Sequence, residues 1–417
     1  MSPISLLPRL LQSLLLSLLL VAPAQGAGAD ELAGQVNALQ TRVMTLDTHV
    51  DIPLDFATSE FDPASQPDAQ VNLDNMVQGG LDAAFFIVYV GQMARTEADY
   101  RAARADALTK FDAIHRMTDE LYPDRIGLAT TAAQARELHA QGKLVALIGI
   151  ENGFVIGKDL SLLADFRKRG ARYMTLVHNG HNDIGDSAQP QARLGDGPEE
   201  HGGLSDFGYQ VVAELNRLGI LVDVSHASRQ TMLDATRHSR APVIASHSSV
   251  TALADHPRNM NDEQLRVLRD NGGVIQIVAF DSYVKQVAPE KSAAIGALRR
   301  ELGVTDGDQV AALPAAERMR YETAMVEINR QWPTATVAGF VDHIDYAVKL
   351  MGVDHVGISS DFGGGGGVDG WNNAGETGNV TRELLSRGYS EEAIAKIWSG
   401  NVLRILAEAE KLADELK

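Results

Sequence analysis

The sequence LDTHVDIP, residues 46–53, is the stretch on which the fold prediction depends. An apolar, β-branched run leads into it, and the stretch ends in a proline, so we predict a buried strand that stops near Asp51. Side chains two positions apart on a strand point to the same side. His49 and Asp51 can therefore converge beyond the end of the strand, and an imidazole beside a carboxylate is half of a divalent-metal site. An isolated pair of this kind also fits a hydrogen-bonded turn, so the other strand ends must decide.

Seven more apolar, β-rich segments follow, and most are separated by segments with helical periodicity. The eight segments are 43–51, 81–90, 144–152, 171–179, 219–228, 241–249, 272–280 and 355–363. The spacers with helical character are 95–141, 207–218 and 230–239. Strands that alternate with helices predict a parallel sheet covered by helices, and eight such units predict a (β/α)8 barrel of the TIM type rather than an open sheet. No glycine-rich dinucleotide motif follows the first strand.

One connection is much longer than the others. A polar, helix-forming segment, Lys291 to Arg330, lies between the seventh and eighth strands and leads into a helix that carries Phe340, Ile344 and Val348. A long insertion at the carboxyl end of a strand predicts a lid over the site or a dimer contact. We place this helical insertion at about 281–335, within a single catalytic domain that spans 27–417.

The N-terminus has the pattern of a signal peptide. Arg9 precedes a short apolar run that ends in small residues, which predicts a signal peptide over 1–26 with cleavage after Gly26, or near Ala24 or Ala29. The run is too short for a membrane span, so none is expected after cleavage. The chain contains no cysteine, which excludes disulfides and thiolate metal sites. We therefore predict an exported protein, periplasmic or secreted.

The charge balance argues against one class of partner. The formal net charge is −18, and removal of Arg9, the one charged residue in 1–26, changes it to −19. Nucleic-acid binding needs a basic surface, so it is not expected. With 45% hydrophobic and 22% charged residues the chain is an ordinary globular protein.

Ionisable residues recur at the ends of six of the eight predicted strands. They are His49, Asp51, Glu151, His178, His226, His247 and Asp361. Barrel active sites are built at the carboxyl ends of the strands, so these side chains should share one mouth. Two imidazoles and two carboxylates would hold one metal ion. Three imidazoles with carboxylates able to bridge suit two ions about 3.5–4 Å apart.

With these strand-end residues in this order, the chain resembles the membrane dipeptidase (renal dipeptidase) family of zinc peptidases, among the metal-dependent hydrolase barrels. The resemblance covers nearly the whole mature chain. The matching motifs are DTHVDIP, GIENG, LVHNGHND, LVDVSH, PVIASHSS, HPRNMND, VGISSDF and WSGNVLRIL. The resemblance implies a binuclear zinc dipeptidase that acts through a metal-bridging hydroxide and tolerates D-residues at the C-terminal position of a dipeptide.

The resemblance also implies roles for individual residues. His49, Asp51 and Glu151 would hold one zinc ion, and Glu151 would bridge to a second ion held by His226 and His247. The remaining roles fall on three substrate-binding residues, His178, Arg258 and Asn259, and on a proton shuttle, Asp361. His178 would steady the scissile carbonyl oxygen, and Arg258 would bind the substrate carboxylate.

The chain departs from the family pattern at one point. Many relatives read DFDG after the eighth strand, whereas Asp361-Phe362 is followed here by five glycines, 363–367. The missing aspartate predicts different local hydrogen bonding, and the glycines predict a pliable loop above the site. Three other histidines are expected to have surface or substrate-rim roles rather than to bind metal. They are His181, His201 and His256.

Two other functions match the sequence less well. A phosphotriesterase or cyclic-amide hydrolase on the same barrel would usually begin with His-x-His and carry a bridging lysine on the fourth strand, and this chain has neither feature. An inactive exported protein that binds zinc or peptide should have lost a ligand or the proton shuttle, and all are present. Beyond a dipeptide substrate, a homodimer is the remaining partner prediction.

Overall fold

The computed structural model describes residues 25–305, 307–311 and 313–417. The predicted signal peptide falls almost wholly outside these described residues, and the first helix begins at Gln25. Nine parallel strands form one sheet. They are β1 (Leu46–Asp51), β2 (Ala83–Tyr89), β3 (Ile126–Leu128), β4 (Leu144–Glu151), β5 (Ala171–Thr175), β6 (Leu221–Asp223), β7 (Ile244–Ser248), β8 (Val274–Val278) and β9 (Val356–Ser359).

Eight of these strands form a barrel in chain order, β1-β2-β4-β5-β6-β7-β8-β9. The first and last strands meet where the amide of Asp51 donates to Phe362 O and the amide of Asp361 donates to His49 O, at 2.8 and 3.1 Å. The short strand β3 lies outside this circuit and pairs with β4. The predicted (β/α)8 barrel of the TIM type is confirmed.

Sixteen α-helices surround the sheet in the described part of the chain. They are α1 (Gln25–Gln40), α2 (Leu73–Gly79), α3 (Glu97–His115), α4 (Ala132–Ala140), α5 (Ser161–Lys168), α6 (Asp206–Leu218), α7 (Arg229–His238), α8 (Asp262–Asp270), α9 (Asp281–Val284), α10 (Pro289–Glu301), α11 (Gly307–Ala311), α12 (Ala315–Gln331), α13 (Val337–Met351), α14 (Gly378–Ser386), α15 (Glu391–Ala395) and α16 (Asn401–Glu415). Short π or 3-10 turns extend several of them. None of these helices is both long and apolar enough to cross a bilayer.

Alternation along the strands divides the core into two apolar layers. Phe85 and Leu147 point into the barrel with the Tyr173 ring, and Val402 and Leu406 of α16 join this inner cluster. Their neighbours along the strands, such as Phe86 and Ile148, point outward against the helices. Because α16 packs on inner side chains near the strand starts, it covers the amino end of the barrel and leaves the carboxyl end for the site.

All eight barrel strands were predicted, but one spacer was misread. The segment 95–141 reads as one helical region, whereas it contains α3, a π turn at Arg116–Leu121, the strand β3 and α4. A three-residue strand is too short to show a period in the sequence. The spacers assigned to α6 and α7 are confirmed within a residue at each end.

The long connection after β8 is helical, as its composition predicts. It carries α9 to α12 before α13 returns to the barrel. Lys291 is buried there and pairs with Asp281, with 2.8 Å between Nζ and Oδ2. Asp281 Oδ1 also accepts from the amide of Ala335, so one carboxylate joins both ends of the insertion. The lid or dimer role stays a prediction.

Candidate metal centre

The seven strand-end residues predicted to share one mouth do lie together at the carboxyl end of the barrel. His49 and Asp51 lie in β1, Glu151 ends β4 and His247 lies in β7. His178, His226 and Asp361 follow β5, β6 and β9 by two or three residues. Every one of them is buried except Asp51, which is slightly more exposed. The barrel therefore brings groups that are up to 312 positions apart in the sequence (49 to 361) into one cluster.

Glu151 stands at the middle of the cluster, with its two oxygens facing different groups. Its Oε2 lies 3.4 Å from His49 Nε2, which in turn is 3.5 Å from Asp51 Oδ2. Its Oε1 lies 3.1 Å from His226 Nε2 and 3.3 Å from His247 Nε2. One carboxylate can thus serve two metal positions, one on the β1 side and one on the β6–β7 side.

Each of the three histidines uses its other ring nitrogen, Nδ1, in a hydrogen bond that fixes its tautomer. Tyr173 OH donates to Thr48 O, so it must accept from His49 Nδ1 at 2.9 Å. Asn179 Oδ1 accepts from His226 Nδ1 at 3.2 Å. With Nδ1 protonated, Nε2 keeps its lone pair and faces Glu151, which is the arrangement of a metal-binding imidazole.

The third histidine, His247, is held through a serine. Ser246 Oγ donates to Asp223 Oδ2 at 2.7 Å and therefore accepts from His247 Nδ1 at 2.8 Å. Asp223 is buried and also accepts from Thr175 Oγ1 and from the amides of Ser225 and Ser246. The carboxylate is thus fully hydrogen-bonded, and the His247 ring is fixed in place.

The donor atoms left over fit a pair of metal ions. His49 Nε2 and Asp51 Oδ1 are buried and have no hydrogen-bond partner among the described residues. His226 Nε2 and His247 Nε2, both lone-pair carriers, face each other at 2.8 Å. Buried lone pairs in this arrangement repel unless a cation lies among them. Two groups of potential ligands meet within 4.8 Å, His49-Asp51-Glu151 and Glu151-His226-His247, and a third is His49-His247-Asp361.

The pKa shifts within the cluster also favour metal binding. Burial, together with Arg258, holds the pKa of His226 well below its usual range, and burial together with His49 does the same for His247. Burial also opposes ionisation of Glu151, but His49 and His178 outweigh it and hold the pKa of Glu151 well below normal. The cluster therefore offers the neutral imidazoles of His226 and His247 and an ionised bridging carboxylate, the forms that bind metal. At His49 burial opposes protonation, but the charges of Glu151 and Asp51 outweigh it and hold the pKa of His49 well above normal, so a metal ion bound there would displace a proton.

Asp361 differs from Glu151 in the direction in which its pKa is shifted. Burial and the neighbouring carboxylates of Asp51 and Glu151 raise the pKa of Asp361 well above its usual range. Its Oδ1 is 3.9 Å from His49 Nε2. Its backbone is also left-handed, with φ of 60°, and so is that of His226, with φ of 64°. Residues other than glycine seldom adopt this conformation, and it is concentrated at functional sites.

His178 lies beside the cluster without the constraints of the other three histidines. Its Nε2 is 3.8 Å from Glu151 Oε1, and its Nδ1 is buried without a partner among the described residues. The ring packs between those of His226 and Tyr89, with centroids at 4.1 and 4.8 Å. An imidazole held by ring contacts keeps both nitrogens available for a ligand.

Arg258 is buried beside His247, in the loop between β7 and α8. Its Nη2 donates to His247 O at 3.1 Å, and its guanidinium lies over the Tyr283 ring at 5.4 Å. Its Nε has no partner among the described residues. Asn259, the neighbouring residue, donates from Nδ2 to Ala254 O and Tyr283 O, so its donors anchor the loop and only Oδ1 remains for a ligand.

The glycine run 363–367 passes close to other groups of the site at Gly364 and Gly366, and the pliable loop stays a prediction. A Cβ on Gly364 would lie 2.5 Å from both Asp361 Oδ1 and Asp51 Oδ2, and one on Gly366 would overlap Ser360 O. The amides of Gly364 and Gly366 both donate to Asp361 O, and that of Gly363 donates to Gln70 Oε1. The glycines are needed because the chain passes against the site carboxylates.

The histidines outside the centre are mostly structural. His181 is buried, accepts from the amide of Ser187 and donates to Gly197 O, which corrects its predicted place at the surface or rim. His201 Nε2 donates to Asn182 O. Both belong to the long β5–α6 loop, where Asp186 accepts from three backbone amides, those of Glu200, His201 and Gly203. His256 packs against Tyr283, and burial lowers its pKa to about 4.

Several residues of the site were missed from the sequence. Tyr173, Asn179, Ser246 and Asp223 orient the histidines, and Asp47 receives the amides of His49 and Ser360 beneath them. Asp47, Asn179, Asp223 and Ser246 lie inside motifs already recognised, next to ligand candidates. Tyr173 carries no such signal, because a tyrosine in a barrel strand reads as core.

Comparison with known proteins agrees with this geometry. The family model for membrane dipeptidases, peptidase family M19, matches residues 33–417. Dipeptidase tcpJ of Claviceps purpurea (strain 20.1) is 33% identical over 362 residues, 86% of this chain and 73% of that protein. The crystal structure of the probable dipeptidase PvdM from Pseudomonas aeruginosa is 34% identical with a TM-score of 0.82, over 92% of this chain and 100% of that one.

A more distant structure shares the fold alone. It is a metallopeptidase from Rhodobacter sphaeroides, solved with a phosphinate mimic of the dipeptide L-Ala-D-Ala. The two chains are 22% identical with a TM-score of 0.68, over 88% of this chain and 99% of that one.

Proposed function

The chain belongs to the membrane dipeptidase family, peptidase family M19, and on that premise we propose that this metallopeptidase is a dipeptidase with two zinc ions in one centre. The observation that carries the proposal is the position of Glu151, with one oxygen toward His49 and the other toward His226 and His247. The proposed ligands of one ion are His49, Asp51 and Glu151. Glu151, His226 and His247 hold the other. Three imidazoles with carboxylates favour zinc, although manganese and cobalt are also accepted by such sets.

When bound, the two ions would supply a hydroxide by lowering the pKa of a water toward about 7. The chain's own residues do the rest of the chemistry. His178 donates a hydrogen bond to the scissile carbonyl oxygen and stabilises the negative charge that develops there. Asp361 receives a proton and returns it to the leaving amine, a role that suits a carboxyl group with a raised pKa.

Arg258 determines the length of the substrate in this proposal. Its buried guanidinium pairs with a free carboxylate one residue beyond the scissile bond. A tripeptide or a C-terminal amide would place a neutral group there and leave the cation without a counter-charge. The carboxylate matters more than the configuration of the carbon that bears it, so we propose that D-residues are accepted at the second position. The ligand of the Rhodobacter sphaeroides structure, a mimic of L-Ala-D-Ala, supports this.

The substrate-length proposal is tested with matched peptides. For zinc-loaded protein we expect L-Ala-L-Ala to have a kcat/KM at least about 100-fold above that of its C-terminal amide and of a tripeptide, the usual scale for an unpaired buried charge. Arg258→Ala should remove most of this preference by slowing the dipeptide. Arg229→Ala, an exposed arginine at the start of α7, is the matched control. Equal rates for acid and amide would exclude Arg258 from the site.

The metal count is tested separately by elemental analysis. The protein should carry close to two zinc ions per chain, and His226→Ala or His247→Ala should reduce this to about one. A wild-type protein that is fully active with one metal ion would contradict the binuclear proposal.

We also propose that the protein is exported to the periplasm or beyond the cell. The support is the signal-peptide pattern of 1–26 and the absence of cysteine. N-terminal sequencing of protein recovered from the periplasmic fraction should begin near Ala27. An intact Met1 in cytoplasmic protein would contradict the proposal.

A further inference from the structure

Lys110, on α3, is a buried cation that the proposed reaction does not use. Its side chain is only 6% exposed. Among the described residues no acid forms an ion pair with its ammonium group and no atom accepts a hydrogen bond from it. Its one close polar contact is with the face of the Tyr89 ring, at 5.4 Å from Nζ to the centroid. Asp106, one turn earlier on the same helix, does not reach ion-pair distance.

The ammonium group lies on the site side of α3. Tyr89 ends β2, and its ring packs against that of His178, the residue assigned to the scissile carbonyl. Burial lowers the pKa of Lys110, while the charges of Asp51 and Glu151, both in the metal centre, raise it. Lys110 therefore adjoins the metal centre through Tyr89, whose ring contacts both its ammonium group and the His178 ring.

Lys110 also belongs to the side of the barrel opposite Arg258. In the circuit of eight strands, β2 is second and β7 is sixth. Positions four apart in a closed ring of eight face each other. Lys110 is on the helix after β2, and Arg258 is in the loop after β7. A dipeptide whose C-terminal carboxylate meets Arg258, and whose scissile carbonyl meets His178, therefore directs its N-terminal residue toward Lys110.

Lys110 is largely buried, so its ammonium group has little hydration and no counter-charge, and an aromatic face replaces only part of the hydration that is lost. A carboxylate brought by a ligand would satisfy it with a charge-assisted hydrogen bond. We infer that Lys110 is a specificity-determining residue that selects dipeptides with an acidic side chain on the N-terminal residue. This inference rests on the proposed dipeptidase function and names a substrate class for the same site.

The test compares two peptides that differ only in charge. For wild-type protein we expect kcat/KM for L-Glu-L-Ala to be about tenfold or more above that for L-Gln-L-Ala. Lys110→Met keeps the aliphatic stem and removes the charge. It should lower kcat/KM for L-Glu-L-Ala at least about tenfold and leave L-Gln-L-Ala within about twofold. Lys110→Arg should restore part of the preference.

The matched control is Lys158→Met. Lys158 is exposed in the loop after β4 and pairs with Asp183 at 3.3 Å. This variant should leave both rates unchanged. Equal rates for the two peptides in the wild type would overturn the inference. So would a Lys110→Met variant in which both peptides slow equally and zinc content falls, because Lys110 would then only balance the acids of the centre.

Failure of the dipeptidase proposal gives a different result. If no dipeptide is hydrolysed, that proposal fails, and calorimetric binding of the same two peptides decides the role of Lys110. Tighter binding of L-Glu-L-Ala by the wild type, lost in Lys110→Met, supports the inference. Equal binding of the two peptides overturns it.

Discussion

Single hydrogen bonds prepare the histidines of the centre for metal binding. Tyr173, Asn179 and Ser246 each accept a hydrogen bond from the protonated Nδ1 of one histidine. All three Nε2 lone pairs therefore face Glu151. A ring without such an acceptor could rotate or change tautomer, and its Nε2 would then carry a proton instead of a lone pair. These acceptors belong to the metal site as much as the ligands do.

Tyr173→Phe isolates one of these acceptors. The ring remains as packing inside the barrel, and only the hydroxyl that holds His49 is lost. We expect zinc affinity to fall about 10- to 100-fold, the usual effect of removing such a partner. Competition with a chelator measures it, and circular dichroism checks the fold. Tyr209→Phe, outside the site on α6, should keep wild-type affinity. Unchanged affinity in Tyr173→Phe would mean that this hydroxyl does not set the tautomer.

Asp361→Asn separates proton transfer from metal binding. If Asp361 moves protons and binds no metal, the variant keeps both zinc ions while kcat falls about 100-fold or more. Zinc content and turnover are measured on the same sample. Asp51→Asn is the contrasting variant, and it should lose zinc. Because Asp361 lies near His49 and His247, loss of zinc in Asp361→Asn would instead make Asp361 a ligand.

The segment after β9 needs glycines because the chain passes too close to other groups of the site to carry side chains. Gly364 passes between Asp51 and Asp361, and its neighbours donate backbone hydrogen bonds to the Asp361 carbonyl and to Gln70. The run therefore forms a wall of the site that fits closely against the two carboxylates at Gly364. Its glycines are required by contact distance, and their conformational freedom is used at Gly363, where φ is +82°.

Gly364→Ala tests this wall. The new methyl group would lie 2.5 Å from Asp361 Oδ1 and Asp51 Oδ2, so at least one carboxylate must move. We expect a loss of about 1–3 kcal/mol in the free energy of unfolding and a fall in zinc content and turnover of about tenfold or more. Gly34→Ala, on α1 with nothing within 4 Å of its Cβ, should be unaffected. A fully active Gly364→Ala protein would show that the loop yields to the new methyl group, as the prediction of a pliable loop requires.

The closed barrel concentrates acids whose charges a bound metal ion would balance. Asp51, Glu151 and Asp361 come from three separate strand ends and lie around one imidazole, with Asp47 buried beneath. Like charges at this spacing oppose folding unless they are neutralised. The stability of the whole molecule should therefore depend on metal.

Metal removal should lower the thermal stability of the protein. At free zinc about 1,000-fold above the dissociation constant, each site adds roughly 4 kcal/mol to the folded state. We expect chelation to reduce Tm by several degrees and zinc, but not magnesium, to restore it. Differential scanning calorimetry before and after chelation measures the change. An identical Tm for both forms would show that the centre is not linked to folding.

The barrel and its ligand candidates were predictable because both depend on local order. Apolar runs alternating with helical periodicity specify β1 to β9 apart from β3, and a ligand at a strand end follows from the strand itself. His49, Asp51, Glu151 and His247 could be found in this way because each belongs to or ends a strand. The order of the motifs then identified the family.

By itself the sequence determined the fold, the candidate ligands and the family. Only the tertiary structure decided what surrounds them. The acceptor of His49, the close passage of Gly364 against two carboxylates and the position of Lys110 opposite Arg258 all join residues distant in the chain. The physical reason is that periodicity records which face of an element is buried, whereas contacts between elements depend on how the barrel closes.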